Sequence, residues 1–287
     1  MITGDRNIPM LAAAFSEAAG GTMMAHPGHW ELTLGAGARV DARVVDSWLV
    51  MTSPVAVASP AAEMLGWNAI LPAWVKFALN GNGESRIRSE IPIDEEPDSV
   101  ALIREALNGF EAAHAILSGG DLGTAQPATL NAISQSELKR LCDEAGWSSR
   151  PRGENAVAVE LESRGAYFQA SFATCDNGLR AAVDLRAGEA PEAEAEEAIG
   201  LFLLAAASEI RMARPSVESI AGTATTRFEF VFSATPCAGR LAHAFSALSV
   251  ACQVCAAELK ALRNPDVASD FMALRSRSKT RGQSVGN

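Results

Sequence analysis

Two histidines form the first pattern in this sequence with possible chemistry. His26 and His29 flank Pro27-Gly28, so two imidazoles, which are good ligands for zinc, could lie side by side. Two histidines in a turn supply half a metal site at most, and a solvated turn before a strand explains the same residues. The sequence therefore predicts no cofactor, and whether His26 and His29 bind a metal stays open.

The cysteines form the second pattern. Cys252 and Cys255 have redox or metal spacing, but both fall on the apolar stripe of a predicted helix and no second pair completes a zinc set, so they are predicted to pack in the core. Cys142 and Cys175 also fit small buried positions. Cys237 follows a proline at a predicted helix start, where the helix dipole favours a thiolate, and its reactivity stays open.

Large aromatic and basic side chains in the first half are the candidate binding residues. Large aromatics are enriched at recognition surfaces, although more of them simply fill cores. If the first half binds a partner, Trp48 and Trp74 are the expected anchors, and Arg86 and Arg88 the expected charge contacts. His114 lies on a helix stripe and is expected to be hydrogen-bonded in a core or interface, whereas its counterpart His243 is expected at the surface. No serine or aspartate arrangement suggests a triad around either histidine.

These residues sit on a predictable order of helices and strands. The segment 71–94 reads as two strands joined by Asn80-Gly81-Asn82-Gly83, a sequence suited to a tight hairpin turn. Three short alternating runs between 30 and 51 predict a meander, and a helix from 60 to 70 separates the meander from the hairpin. Apolar residues at helical spacing between 97 and 117 predict a helix that covers one face of the hairpin.

The second half repeats this order. Helix signals at 136–146, strand signals at 156–161, 167–174 and 179–185, a helix at 191–210, a Phe-rich hairpin and a last helix at 241–262 follow the first half about 126 to 141 residues later. The predicted fold class is α+β: two tandem α-β-β-β-α-β-β-α units, each with a five-stranded, mostly antiparallel sheet and helices on one face, packed as a pseudo-dimer. The expected boundaries are a first unit at 1–119, a linker at 120–133, a second unit at 134–268, and an extension at 269–287 with a basic flexible tail.

Composition narrows the function classes. The net charge of −10 opposes binding of phosphate backbones, so nucleic acid is not expected as a partner. The longest strongly apolar run, 199–207, is about half of the roughly 20 residues that a membrane span needs, so no membrane segment is expected. With no signal-peptide pattern at the start, a cytoplasmic location is the expectation.

The element order, unit length and acidic balance resemble bacterial type III secretion chaperones of the Tir-chaperone kind and the related YbjN-like proteins. The resemblance implies a non-enzymatic protein that holds an extended segment of a partner protein through apolar patches and strand addition. It also implies that the tandem copy acts as a dimer fused into one chain, either as a monomeric pseudo-dimer or as a weak homo-oligomer. The alternative is a small-molecule-binding protein or enzyme with its site in the cleft between the two units.

Overall fold

The computed structural model of the chain contains two six-stranded antiparallel sheets and belongs to the α+β class. It describes residues 11, 13, 15–17, 23–26, 28–35, 37–56, 59–93, 99–120, 133–163, 165–175, 178–185, 193–220 and 223–283. The expected linker at 120–133 lies outside the described residues except at its two ends.

The first half builds the first sheet. Helical residues 11, 13 and 15–17 come first. The regular elements that follow are β1 (Met23–His26), β2 (His29–Thr33), β3 (Arg39–Val45), β4 (Trp48–Pro54), α1 (Ala61–Ile70), β5 (Lys76–Leu79), β6 (Ser85–Pro92) and α2 (Ser99–Leu117). The strands lie in the order β1-β2-β3-β4-β6-β5.

The second half builds the second sheet. Its elements are α3 (Gln135–Glu144), β7 (Ser149–Pro151), β8 (Ala156–Ser163), β9 (Ala166–Cys175), β10 (Gly178–Leu185), α4 (Ala193–Glu209), β11 (Arg214–Ile220), β12 (Thr223–Phe232), α5 (Ala238–Ala261) and α6 (Pro265–Gln283). The order β7-β8-β9-β10-β12-β11 matches that of the first sheet strand for strand.

The hairpin of β5 and β6 forms where the sequence predicts it. The side-chain oxygen of Asn80 accepts from the backbone N–H groups of Asn82 and Glu84 at 3.0 and 2.9 Å, which closes the turn. Gly83 has a φ of 77°, a left-handed conformation that glycine adopts without a steric penalty. The predicted turn chemistry is therefore confirmed.

Helices cover one face of each sheet, as expected. On α2, Ile103 and Phe110 are fully buried, and Gly109 lies so close to Val75 that an added Cβ would stand 2.7 Å from a Val75 methyl group. On α5, the predicted stripe is buried, and the ring of Phe245 lies 6.0 Å from that of Phe172 in β9. Helices α2 and α5 thus each cover one face of the sheet in their own half.

The predicted number of strands was wrong: each sheet has six strands, because a short strand opens each half. Met23–His26 pairs with β2, and Ser149–Pro151 pairs with β8. These strands have four and three residues, which is too short for an alternating apolar pattern to show in the sequence.

The C-terminal extension, expected to carry a basic flexible tail, is helical as far as Gln283, where α6 ends. The helix begins with Pro265 in its first turn, a position where the missing N–H has no cost, and the side chain of Asn264 accepts from the backbone N–H of Asp266 at 3.0 Å. Helix α6 packs against α4. Residues 284–287 lie outside the described part of the chain.

One helix among the described residues is long and apolar enough to cross a membrane by length and composition alone, although no such segment was expected. Helix α5 has 24 residues and enough apolar character, because its core stripe adjoins further Ala and Val residues. In the fold, 44% of its most apolar window is buried, and this buried stripe lies against the second sheet. A helix that buries an apolar stripe in a protein core can have the same length and composition as a membrane span.

The two halves meet through their middle helices and inner strands. Helix α1 packs against β11 of the second half, and α4 packs against β5 of the first half, so each inner edge strand is covered by the other half. Helices α1 and α4 also contact one another at Ala61 and Gly200, where a Cβ on the glycine would stand 2.8 Å from that of Ala61. Glycine allows this close approach.

Candidate functional site

The two tryptophans expected as partner anchors lie where the halves meet. The ring of Trp48 contacts His243 edge-on at 5.4 Å and lies under the guanidinium of Arg211 at 5.2 Å. Trp74 is only 5% exposed and contacts Phe230 at 4.9 Å, with Arg240 over its ring at 5.6 Å. Both side chains therefore face the second half of their own chain, and His243 is half-buried there instead of at the free surface.

Arg88 belongs to a buried ion cluster at the same junction. Its Nε donates to Glu90, which also lies 3.1 Å from Lys76 Nζ and accepts from the backbone N–H of Met212 at 3.3 Å. The side chains of Lys76 and Glu90 are 2% and 1% exposed. Burial lowers the pKa of Lys76, and the charge of Glu90 opposes that shift.

Lys76 also ties the halves together directly. Its Nζ donates to the carbonyl oxygens of Ile210 and Ala213 at 2.6 and 3.2 Å, and both residues lie between α4 and β11. Arg214, at the start of β11, makes the reciprocal contact: its Nη1 donates to the carbonyl oxygens of Leu71 and Pro72 at 2.7 and 2.8 Å. Each half thus places a buried cation on the loop that follows the other half's middle helix.

The partners of these cations correspond too. Arg214 Nε donates to Glu229 at 3.1 Å, and Glu229 is 2% exposed. Glu90 pairs across the ladder with Val50 in the first sheet, and Glu229 pairs with Ala182 in the second. Alternation along β6 puts Arg86, Arg88 and Glu90 on the face opposite its apolar side chains, and the second half covers the end of that face at Glu90.

The other end of this face is open. A groove of about 380 Å³ crosses the first sheet from Met24 on β1, over Glu31 and Asp41, to Arg86 on β6. Met24 is 57% exposed, and β1 is the outer strand of its sheet. The Arg86 side chain is 34% exposed and pairs with Glu84. Of the four predicted binding residues, Arg86 alone lines this groove.

A cluster of possible metal ligands adjoins the groove. His29 Nε2 lies 2.9 Å from Asp41 Oδ2, and Glu31 offers a carboxylate within 4.8 Å of both ligand atoms. The ladder explains the cluster: Glu31 is paired with Asp41, and His26 is paired with His29, so all four side chains share the open face. The ring centroids of His26 and His29 are 6.0 Å apart.

His114 has a partner that sequence reasoning missed. Its Nε2 lies 2.8 Å from Ser53 Oγ, across 61 residues of sequence. Burial lowers the pKa of His114. Ser53 is fully buried, and within the described residues no carboxylate completes a triad, so this pair is a core hydrogen bond. The expectation of a hydrogen-bonded His114 is confirmed.

The predicted buried positions of Cys142, Cys252 and Cys255 are confirmed, whereas Cys175, also predicted to be buried, is only partly buried. Cys252 and Cys255 are fully buried, and burial raises the pKa of each thiol to about 12. Burial likewise raises the pKa of Cys142 to about 11. Thiols held protonated in this way are poor nucleophiles and poor metal ligands. Cys237 is exposed at the N-cap of α5.

A cavity of about 350 Å³ lies between the halves. It is bounded by the hairpin turn at Asn80, by Phe202 and Glu209 of α4, and by Val254 and Arg275 of the last two helices. Neither His26, His29 nor Cys237 lines it. Among the described residues of this kind, the cleft therefore has Glu209 and Arg275 and lacks the histidines and the exposed cysteine.

No protein-family model matches this chain, and no curated protein matches it.

Proposed function

We propose that this chain is a protein-binding module without enzymatic activity, in which two tandem α+β units form a pseudo-dimer that holds an extended segment of a partner protein. The segment adds to the outer edge of the first sheet, along β1, and places an apolar side chain on Met24 at the mouth of the groove. This mode of binding is β-strand addition, in which main-chain hydrogen bonds give affinity and side-chain pockets give specificity.

The carrying observation is the edge strand β1 beside an open groove. An outer strand presents unpaired N–H and C=O groups on one side, which is a template for another strand. The inner edge strands β5 and β11 are covered by the opposite half, whereas β1 and β7 form the outer edges. Of these two, β1 is longer and carries the exposed Met24 next to the groove.

The tandem arrangement is supported by matching strand orders and by the reciprocal cations Lys76 and Arg214. In the secretion chaperones that the sequence resembles, two copies come together; here one chain supplies both. The buried junction leaves each half's outer face for binding.

The test is a selection of short random peptides on the full-length protein, followed by affinity measurement of the recovered peptides. We expect bound peptide to slow amide hydrogen exchange in 23–26 and not in 149–151. Met24→Lys should weaken binding about tenfold or more, because the substitution removes an apolar contact and puts a charge in its place. Tyr167→Lys, at a residue that is 71% exposed on the second sheet, is the matched control and should leave affinity unchanged.

Recovery of no peptide, or of peptides whose binding leaves β1 exchange unaltered, would contradict this proposal. A second candidate is supported by the cavity between the halves, whose volume of about 350 Å³ is within the range of small-molecule sites. A ligand there would slow exchange at Asn80–Gly83 and in α4, and would be insensitive to Met24→Lys.

A further inference from the structure

Three donors of metal-binding type converge on the open face of the first sheet. His29 and Glu31 are two residues apart on β2, and Asp41 projects from β3 beside them. Their ligand atoms all lie within 4.8 Å of one another, and the nitrogen of His29 is 2.9 Å from the nearer oxygen of Asp41. An imidazole with two carboxylates matches the preferences of zinc and of neighbouring first-row divalent ions.

The spacing of these donors fits a single ion. Two ligands that each lie about 2.0 to 2.1 Å from a tetrahedral ion are about 3.3 Å apart. The His29–Asp41 separation of 2.9 Å lies close to that value, and the other donor separations do not exceed 4.8 Å, so modest side-chain rotation is enough to bring the three donors around one ion.

The strands that carry the donors are held rigidly. Trp30 and Leu32 alternate with His29 and Glu31 on β2, and they are 1% and 2% exposed in the core. Val40, next to Asp41 on β3, is 1% exposed. Ligands on strands anchored in this way keep their relative positions, which reduces the entropy lost on binding an ion.

A second imidazole stands next to the three donors. His26 is paired with His29 across β1 and β2, and the two rings are stacked with centroids 6.0 Å apart. At the matching ladder positions of the second sheet, Arg150 and Ala158 replace the two histidines and Gln169 replaces Asp41. The set of donors is specific to the first half.

We infer that this face binds one divalent transition-metal ion, with zinc the best match, through His29, Glu31 and Asp41 and with His26 as an adjacent fourth donor. Arg43, across from His29, and Arg39, two residues before Asp41, reduce the affinity, but both are exposed to solvent that screens their charges. The inference goes beyond the proposed function, and it stands or falls without it.

The test uses the full-length protein without an affinity tag, titrated with Zn²⁺ by calorimetry and with Co²⁺ by visible absorption. We expect one ion per chain and the weak absorption bands of nitrogen and oxygen ligands. His29→Ala and Asp41→Asn should each weaken binding about 10- to 100-fold or more, since even residues behind the ligands have effects of that size. Circular dichroism melting establishes that each variant is folded.

A matched pair of variants gives the control. Glu31→Gln should weaken binding, whereas Glu160→Gln, at the corresponding ladder position of the second sheet, should not. Failure of the wild-type protein to bind either ion, or equal affinity in wild type, His29→Ala and Asp41→Asn, would overturn the inference. So would intense thiolate-to-cobalt absorption that Cys237→Ser abolishes.

Discussion

The polar faces of the two sheets carry corresponding residues at the junction between the halves and different residues at the end away from the junction. At the junction, Glu90 and Glu229 are both buried and both pair with a buried cation. At the open end, His29 and Asp41 of the first sheet correspond to Ala158 and Gln169 of the second. The buried end is constrained because unpaired charges there would be costly, whereas the open end tolerates change. The two halves therefore share a means of assembly and differ in surface chemistry.

Removing the buried cation of each half, Arg214 or Lys76, should have the largest effect on stability. Among the described residues, Arg214→Met leaves Glu229 with Arg180, 3.8 Å away, as its remaining cationic partner, and it removes donors from two carbonyls of the first half. We expect a loss of about 3–5 kcal/mol in the free energy of unfolding, the usual effect of breaking a buried pair.

Lys76→Met should cost less, on the order of 1–3 kcal/mol, because Arg88 still donates to Glu90 and the Met212 N–H still reaches it. Urea unfolding of both variants measures the difference. Equal losses, or a larger loss for Lys76→Met, would contradict the argument that the remaining partners of Glu90 and Glu229 set the size of each loss.

Replacing one glycine in each middle helix by alanine should change the stability of the protein in opposite directions. Gly200→Ala in α4 brings a Cβ to 2.8 Å from that of Ala61 and should destabilise the protein by about 1–3 kcal/mol. Gly66→Ala in α1 meets no atom within 4 Å and should stabilise it by about 0.4–1 kcal/mol through reduced backbone entropy of the unfolded chain. Thermal melts of the two variants should move in opposite directions; a shift of both in one direction would contradict the close helix contact.

The smallest expected effect concerns pH and the first half alone. Burial lowers the pKa of His114 below 6.5, so the unfolded chain takes up a proton at a higher pH than the folded protein does. Stability should therefore fall as the pH falls below 6.5, and His114→Gln should make this loss smaller. Leu185 occupies the place of Ser53 in the second sheet, so that half has no matching pair. Urea midpoints at neutral and mildly acidic pH measure the slope, and an unchanged slope in the variant would refute the assignment.

Long, periodic elements were predictable from the sequence. The stripe on α5 and the turn at Asn80 depend on residues close together in the chain, and both were located correctly. The opening strands β1 and β7 were missed because they carry too few residues for a pattern, and the helix of the C-terminal extension was missed because charge composition outweighed the cap at Asn264.

The candidate sites were less predictable, because they depend on register between strands. His26 and His29 were recognised, but Asp41 was not, since nothing local indicates that β3 places it beside His29. Alternation put Glu90 on the polar face of its strand, but it could not reveal that the second half covers this end of the face. Burial of Trp74 has the same cause.

The covalent link between the halves has a thermodynamic consequence for the junction at Lys76 and Arg214. In a dimer of separate chains, dilution favours dissociation, and the population of the assembled form depends on protein concentration. Within one polypeptide the same contacts form unimolecularly, so occupancy of the interface is independent of abundance. The protein can therefore keep its two faces together in a cell that makes very little of it.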